Sequence, residues 1–440
     1  MKRTLSVLVV FILCVTMFAG CGGNSSNVDA PSAPAADSSA PAADSGAQAA
    51  SPAPADGGTL TVMAQIIPMD GEGAEFRALV KERLGIDVHF ETSPLEYPDA
   101  VNKITTMLAT GDSSVDVYHI DEIMQLAFLS AGFLEPIGDV VTESDMANFL
   151  PGYPDMFLKK DGQIYAVPAD ISGIIFFVNK QMFDEAGVSI PTNQEEFIAA
   201  AQALTKDGKY GLMESWDKAS HLQDNLNRWS LMFGGNFYDW NLEGTQNAIK
   251  FMHDLVHTYN VVNIDNLSDA FESGNQKMID GMAAMYFQWA GAANSFKNAG
   301  KGDEIVAAPM PTFVTNHTPM SSWMFVVNKN SENAAMAKEF LKLMVEPEAQ
   351  ALYMKSNWRN PTANVKAWDN PALMAGLNHV EVHKQYLERG SLTPRTLSTK
   401  HSEYMDVVTG TLQRYLLNEI SFEECIELGQ QQIDRILASS

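Results

Sequence analysis

Two pairs of histidines carry the spacing of a metal-binding helix. His253-Asp254-Leu255-Val256-His257 and His379-Val380-Glu381-Val382-His383 each set imidazoles at i and i+4, where one helix face presents two ligands. A zinc hydrolase helix needs a glutamate directly after the first histidine as general base. Asp254 and Val380 stand there instead, and neither pair has an evident third ligand. The apolar stripe around the first pair is Ala248, Met252, Leu255 and Tyr259, and both histidines point away from it, as a solvated face would have them. No Gly-x-Ser-x-Gly nucleophile elbow occurs, and no glycine-rich phosphate loop follows a strand-like run. The chain is therefore expected to hold no catalytic residue, no metal and no cofactor. Acid pairs for glycoside hydrolysis need only meet in space, so with 54 acidic residues an extracellular glycosidase stays open as the reading from another class.

The elements that must position any site alternate between strand and helix. Leu60 and Val62 read as a strand, and a helix opening at Asp70 carries Phe76, Leu79, Val80 and Leu84 on one face, with Gly85 at its C′ position. Ile86, Val88 and Phe90 alternate with polar residues as a half-buried strand does. A helix through Val101, Ile104, Met107 and Leu108, a strand over 115–120 and a helix over 122–130 follow, closed by Gly111 and Gly132. Short connections between alternating elements predict a parallel, doubly wound sheet, in which ligands bind beyond the carboxyl ends of the strands. Residues 65–70 and His119, Asp121 and Glu122 hold those places. Thr192 with Glu195, and Ser421 with Glu424, read as capping boxes, and Cys425 falls on the apolar stripe of the last helix.

Composition narrows the function further. The 440 residues are 46% hydrophobic, enough for a globular core, and carry a net charge of −25, which excludes a nucleic-acid role because phosphates would be repelled. Three cysteines, Cys14, Cys21 and Cys425, do not make a disulfide framework. Residues 1–20 have a basic start and an apolar run too short to span a bilayer, the pattern of a signal peptide. Phe18-Ala19-Gly20-Cys21 resembles a bacterial lipobox, which implies diacylation (palmitate-type) of Cys21. Residues 22–58 contain no aromatic, lysine or arginine and are rich in Ala, Ser, Pro and Gly, so residues 21–58 read as a lipidated, disordered tether to a membrane.

From residue 59 onward, several segments resemble the extracellular solute-binding proteins of ABC sugar importers, the family that includes maltose-binding protein. They are Thr110–Ile137, with Asp116-Val117 and Gly132-Phe133-Leu134-Glu135-Pro136; DGQIYAVP (Asp161–Pro168); FFVNKQMFDEAGV (Phe176–Val188); IPTNQEEF (Ile190–Phe197); LTKDGKYGL (Leu204–Leu212); Glu272–Gly291; and Ser321–Met354 followed by Trp358-Arg359-Asn360-Pro361. The resemblance implies an α/β, two-lobed periplasmic-binding-protein-like fold of type II, each lobe a doubly wound sheet and discontinuous in sequence. It places residues 59–169 with 325–358 in an N-terminal lobe and 170–324 with 359–440 in a C-terminal lobe, joined near 170–173, 322–325 and 357–361.

It also implies a monomeric binder that captures a carbohydrate between the lobes and hands it to the permease subunits of the importer. Sugars present flat apolar faces and a belt of hydroxyls, so aromatic platforms and planar polar groups are the residues to seek. Trp289 falls where the family places a stacking tryptophan, Trp323 at the second crossover, and Trp358 with Arg359 at the third. Trp229 lies in the poorly periodic, tryptophan-rich stretch 213–243. Asp121 and Glu122 fall where the family's first lobe reads hydroxyls, with His119 and Asp170 nearby, and Arg395 suits a hydroxyl or a carboxylate. Core packing competes for each tryptophan, and helix capping for each acid. The acidity of the chain keeps a cationic ligand such as a polyamine as the alternative.

Overall fold

The computed structural model describes residues 57–65, 72–94, 96–150, 153, 155, 158–218, 221–356, 361–374, 379–395 and 397–438. The signal peptide, Cys21, the tether up to residue 56, Trp358 and Arg359 lie outside them.

Two sheets, each with its own apolar core, organise this part. In the first, strands run in the order Asp87–Thr92, Thr59–Ala64, Val117–Asp121, Trp323–Asn328 and Leu134–Glu135, and Ala166–Pro168 also pairs with Trp323–Asn328. The three strands nearest the N-terminus are parallel, as their alternation with helices predicts. Trp323–Asn328 enters antiparallel from far along the chain, so the sheet is mixed rather than purely parallel. The second sheet runs Leu392–Pro394, Thr318–Ser321, Ser172–Asn179, Ala283–Trp289 and Tyr210–Met213, with Ile305–Ala308 also on Ser172–Asn179. Its central strand, SGIIFFVN, is buried at every position, which is why it reads as a continuous run instead of an alternation.

Local sequence explains the helices that line the strand ends. In Tyr97–Ala109 a proline occupies the first turn, where its missing N–H costs nothing, and Ala100, Ile104 and Leu108 form the buried stripe. Asp121 both ends its strand and caps Glu122–Ala131 by accepting the Met124 N–H at 2.9 Å. Gly132 closes that helix at φ 72°, a left-handed conformation suited to glycine. The expected cap at Thr192 shifts by one: Asn193 accepts the Glu196 N–H, while Thr192 donates to the Glu196 carboxylate. Ser421 accepts from Glu424 N–H, and Cys425 is buried.

Stretch 213–243 contains a helix, His221–Met232, whose lack of periodicity has a plain cause. It is buried almost all round, with His221, Gln223, Asp224, Asn225 and Arg228 inside alongside Leu222, Leu226 and Trp229.

The chain leaves the first core near Ile171 and enters the second by Ile174. It returns at Ser322, where Thr318–Ser321 in the second sheet gives way to Trp323–Asn328 in the first. Residues 361–374 depart from expectation. Ala363 joins the first core, and Val365–Trp368 and Pro371–Met374 pack on Pro347–Ser356 of the first lobe. The second lobe is regained later, where His383 Nε2 accepts the Gly173 N–H at 3.0 Å and Tyr386 donates to the Ala308 carbonyl.

Candidate ligand-binding cleft

A cavity of about 270 Å³ lies between the two sheets' carboxyl-end loops, lined from the first lobe by Tyr97, Asp121 and Trp323 and from the second by Asp224, Trp289 and Arg395. Strand ends set these positions: Asp121 and Trp289 are the last residues of their strands, and Arg395 follows Leu392–Pro394.

Arg395 is the centre of the site. Its Nε donates to Glu122 Oε1 at 2.8 Å, and its Nη2 lies 3.3 Å from Asp121 Oδ2 and donates to Ser321 Oγ at 2.9 Å. Nη1 stands 3.7 Å from Asp224 Oδ1. One guanidinium thus ties a second-lobe loop to two first-lobe carboxylates. Burial opposes its charge, but Glu122, Asp224 and Asp121 outweigh burial and raise its pKa further. The same guanidinium lies over Trp289, 5.5 Å from the ring centroid, while Trp289 Nε1 donates to Asp224 Oδ2 at 3.2 Å. The indole is therefore oriented at its edge and on one face.

Asp121 accepts from Tyr97 O–H at 2.9 Å as well as from Met124 N–H. Burial first, and the Glu122 charge second, push its carboxyl up to about 6, with Arg395 pulling the other way. An unfolded aspartate titrates near about 3.9, so this group gains a proton on folding at intermediate pH. The penalty is full above the folded value and fades as pH falls towards the unfolded one. Stability relative to Asp121→Asn, measured by urea unfolding, is thus expected to rise from about pH 7 to about pH 5. A fall over that interval would show that pairing with Arg395 outweighs burial.

The cavity brings Trp289, Trp323 and Asp121 together, both indoles half-buried. Glu122, 1% exposed, stands behind it, accepting from Ser321 Oγ and Ser322 N–H as well as from Arg395. Three further expected residues do not line it either. Trp229 is fully buried, its ring 4.8 Å from Phe251 and 5.4 Å from both Phe287 and Phe313, so core packing claims it. His119 is packed against Trp323 at 5.3 Å and Phe325 at 4.9 Å, and burial drives its pKa down to about 3, leaving it neutral. Asp170 secures the crossover instead: its carboxylate accepts Trp323 N–H at 3.1 Å and its carbonyl accepts Ser322 O–H. The zinc-spaced histidines have other partners, His253 with Asn418 and His257 with the Leu416 carbonyl, each at 2.8 Å.

Tyr97, Asp224 and His401 are lining residues that sequence reasoning missed. Asp224 sits on the same aperiodic helix as Trp229, five residues earlier, with no pattern to separate the cavity-facing position from the core one.

Comparison with known proteins agrees with this architecture. The chain is 23% identical over 392 residues to an arabinooligosaccharide-binding protein of Halalkalibacterium halodurans, covering 77% of this chain and 83% of the relative. It is 26% identical over 233 residues to a probable sugar-binding periplasmic protein of Brucella suis, covering 50% of this chain and 54% of that one. Among solved structures, a maltose-bound protein of T. maritima superposes with a TM-score of 0.74 at 19% identity, over 86% of this chain and 100% of the other. A solute-binding protein of Thermotoga lettingae bound with alpha-D-tagatose gives 0.75 at 18%, over 87% and 100%. Both neighbours share the two-lobed fold. The profile of the bacterial extracellular solute-binding protein family matches residues 75–375, and this chain belongs to that family, whose members work outside the cytoplasm.

Proposed function

We propose that this protein captures a carbohydrate in the interlobe cleft and delivers it to the permease subunits of an ABC importer, acting as a monomer tethered to the outer face of the cell membrane through a diacylated Cys21. The observation that carries this reading is the pair of half-buried tryptophans, Trp289 and Trp323, on one cavity with acceptors and donors between them. Indole faces suit the C–H faces of a sugar ring, and the carboxylates, amides and hydroxyls around them suit its hydroxyl belt. The sugar-binding relative and the maltose-bound neighbour support the same class. A ligand touching Tyr97, Asp121 and Trp323 on one side and Trp289 and Asp224 on the other gains all its contacts only when the lobes are shut. Ligand therefore selects the closed form, which is the form for the permease to recognise.

Thermal unfolding of the full chain against mono- and oligosaccharides, polyamines and divalent metals, with product analysis of each hit, tests the proposal. A raised melting temperature with an intact saccharide is the expected result, since a ligand of the native state stabilises by mass action. Cleavage of the saccharide would replace transport with glycoside hydrolysis, and a shift with polyamines alone would replace the sugar.

A further inference from the structure

Side chains as well as crossovers join the two lobes. Leu392–Pro394 pairs with Thr318–Ser321, and Arg395 N–H donates to the Met320 carbonyl, so Arg395 belongs to the second lobe. Its guanidinium nevertheless reaches Asp121 and Glu122, which close a strand and open a helix of the first. Pairs such as Arg83–Glu346 and Lys338–Asp139 stay within the first lobe, their carboxylates open to water. Around Arg395, by contrast, no partner's side chain is more than 9% exposed, so solvent screens these contacts little.

Three carboxylates converge on this one cation, Asp224 from the second lobe and Asp121 and Glu122 from the first. Burial raises the Asp224 pKa, Arg395 opposes the rise, and Glu122, across the cleft, adds to it. Like charges out of water repel, and parting the lobes would separate Asp224 from the other two and hydrate all three. Arg395 reverses that balance. The carboxylates take different nitrogens, Glu122 at Nε, Asp121 at Nη2 and Asp224 at Nη1, so the guanidinium stands between them. Its attractions act at 2.8, 3.3 and 3.7 Å, and Coulomb energy falls with distance.

We infer that Arg395 is an interlobe latch, a positioning residue that holds the lobes together beside the Ser321–Ser322 crossover and without which their facing carboxylates drive them apart. The latch is made of the chain's own side chains, so it acts before any ligand arrives and whatever class that ligand is. A ligand then completes a closure that the protein already favours. It also meets Trp289 with Asp224 and Arg395 in place around the indole.

Small-angle X-ray scattering and hydrogen exchange of the full chain, with no ligand added, test this and leave the carbohydrate reading to its own experiment. Arg395→Met keeps much of the side chain's length and removes its charge. The variant is expected to melt cooperatively and to scatter with a larger radius of gyration than wild type. Exchange at 121–124 and 321–323 should be about tenfold faster or more, the shift in an opening equilibrium that losing hydrogen bonds to charged groups brings. Core segments 176–179 and 340–344 should keep their wild-type rates. Adding Asp224→Asn removes the facing charge, keeps an oxygen for Trp289 Nε1, and should restore most of the compactness. Wild-type scattering and exchange in Arg395→Met would overturn the latch, as would expansion that the added Asp224→Asn leaves untouched. Acceleration of all four segments together would mark a merely structural arginine and overturn it too. Asp224→Asn alone leaves Arg395 to the first lobe, so its cleft should exchange no faster than wild type. Faster exchange there overturns the latch even where Arg395→Met fails to melt as one unit.

Discussion

Replacing Trp289 with alanine is expected to weaken saccharide binding about 50-fold or more while leaving the chain folded. A tryptophan side chain offers about 150–250 Å² of surface, and stacking a sugar on one half-buried face covers about 100 Å² of it, worth about 2.5 kcal/mol at 25 cal/mol per Å². Each 1.4 kcal/mol is about a tenfold change in affinity, so the platform alone accounts for nearly two orders of magnitude. The alanine also leaves Asp224 Oδ2 without the indole donor and Arg395 without the ring beneath it. Trp289→Phe separates the two contributions. It keeps an apolar face and loses the Nε1 donor, so a loss of about tenfold or less is expected from one missing hydrogen bond. Calorimetry with the saccharide that raises the melting temperature measures both, and an alanine variant within threefold of wild type would dismiss Trp289 as the platform.

The cavity position of Asp121 was legible because it terminates a strand, beyond which ligand sites form in an α/β sheet, whereas Trp289 was singled out by the family resemblance and not by a strand pattern. Trp229 shows the limit of that logic. Its helix is enclosed on all sides, so no stripe divides inside from outside, and Asp224 at the cavity looks in sequence no different from Trp229 in the core. His119 and Asp170 stay off the cavity wall for another reason. His119 shares a face with Asp121 but stands two residues back from the strand end, covered by Trp323 and Phe325, and Asp170, at a crossover, spends its side chain on backbone. Arg395 drew notice as a lone arginine, but its three carboxylate partners come from residues 121, 122 and 224, and no local pattern links them. The antiparallel entry of Trp323–Asn328 is of the same kind, since the chain returns to the first sheet only after the second is largely built.

A larger effect on stability is expected from a residue that touches no ligand. Glu214 and Arg228 are both fully buried in the second core, with Arg228 Nη2 at 2.8 and 3.0 Å from the two carboxylate oxygens. The guanidinium also donates to Asn225 Oδ1 at 2.8 Å and lies 4.0 Å over Trp229 and 4.1 Å over Phe287, while Trp216 Nε1 donates to the carboxylate at 3.2 Å. Burial raises the Glu214 pKa and lowers that of Arg228, so desolvation opposes both charges and each ion depends on the other. Glu214→Gln keeps the shape and strips the countercharge, which should cost about 3–5 kcal/mol, the usual result of leaving one buried ion unmatched. The double replacement Glu214→Leu with Arg228→Met removes both desolvation penalties and should recover most of that loss, because a buried pair exchanged for apolar residues of like volume is often neutral. Urea unfolding of the three chains decides the matter. A single variant within about 1 kcal/mol of wild type, or a double variant less stable than the single, would mean that the aromatic cage and Asn225 hold Arg228 without its carboxylate.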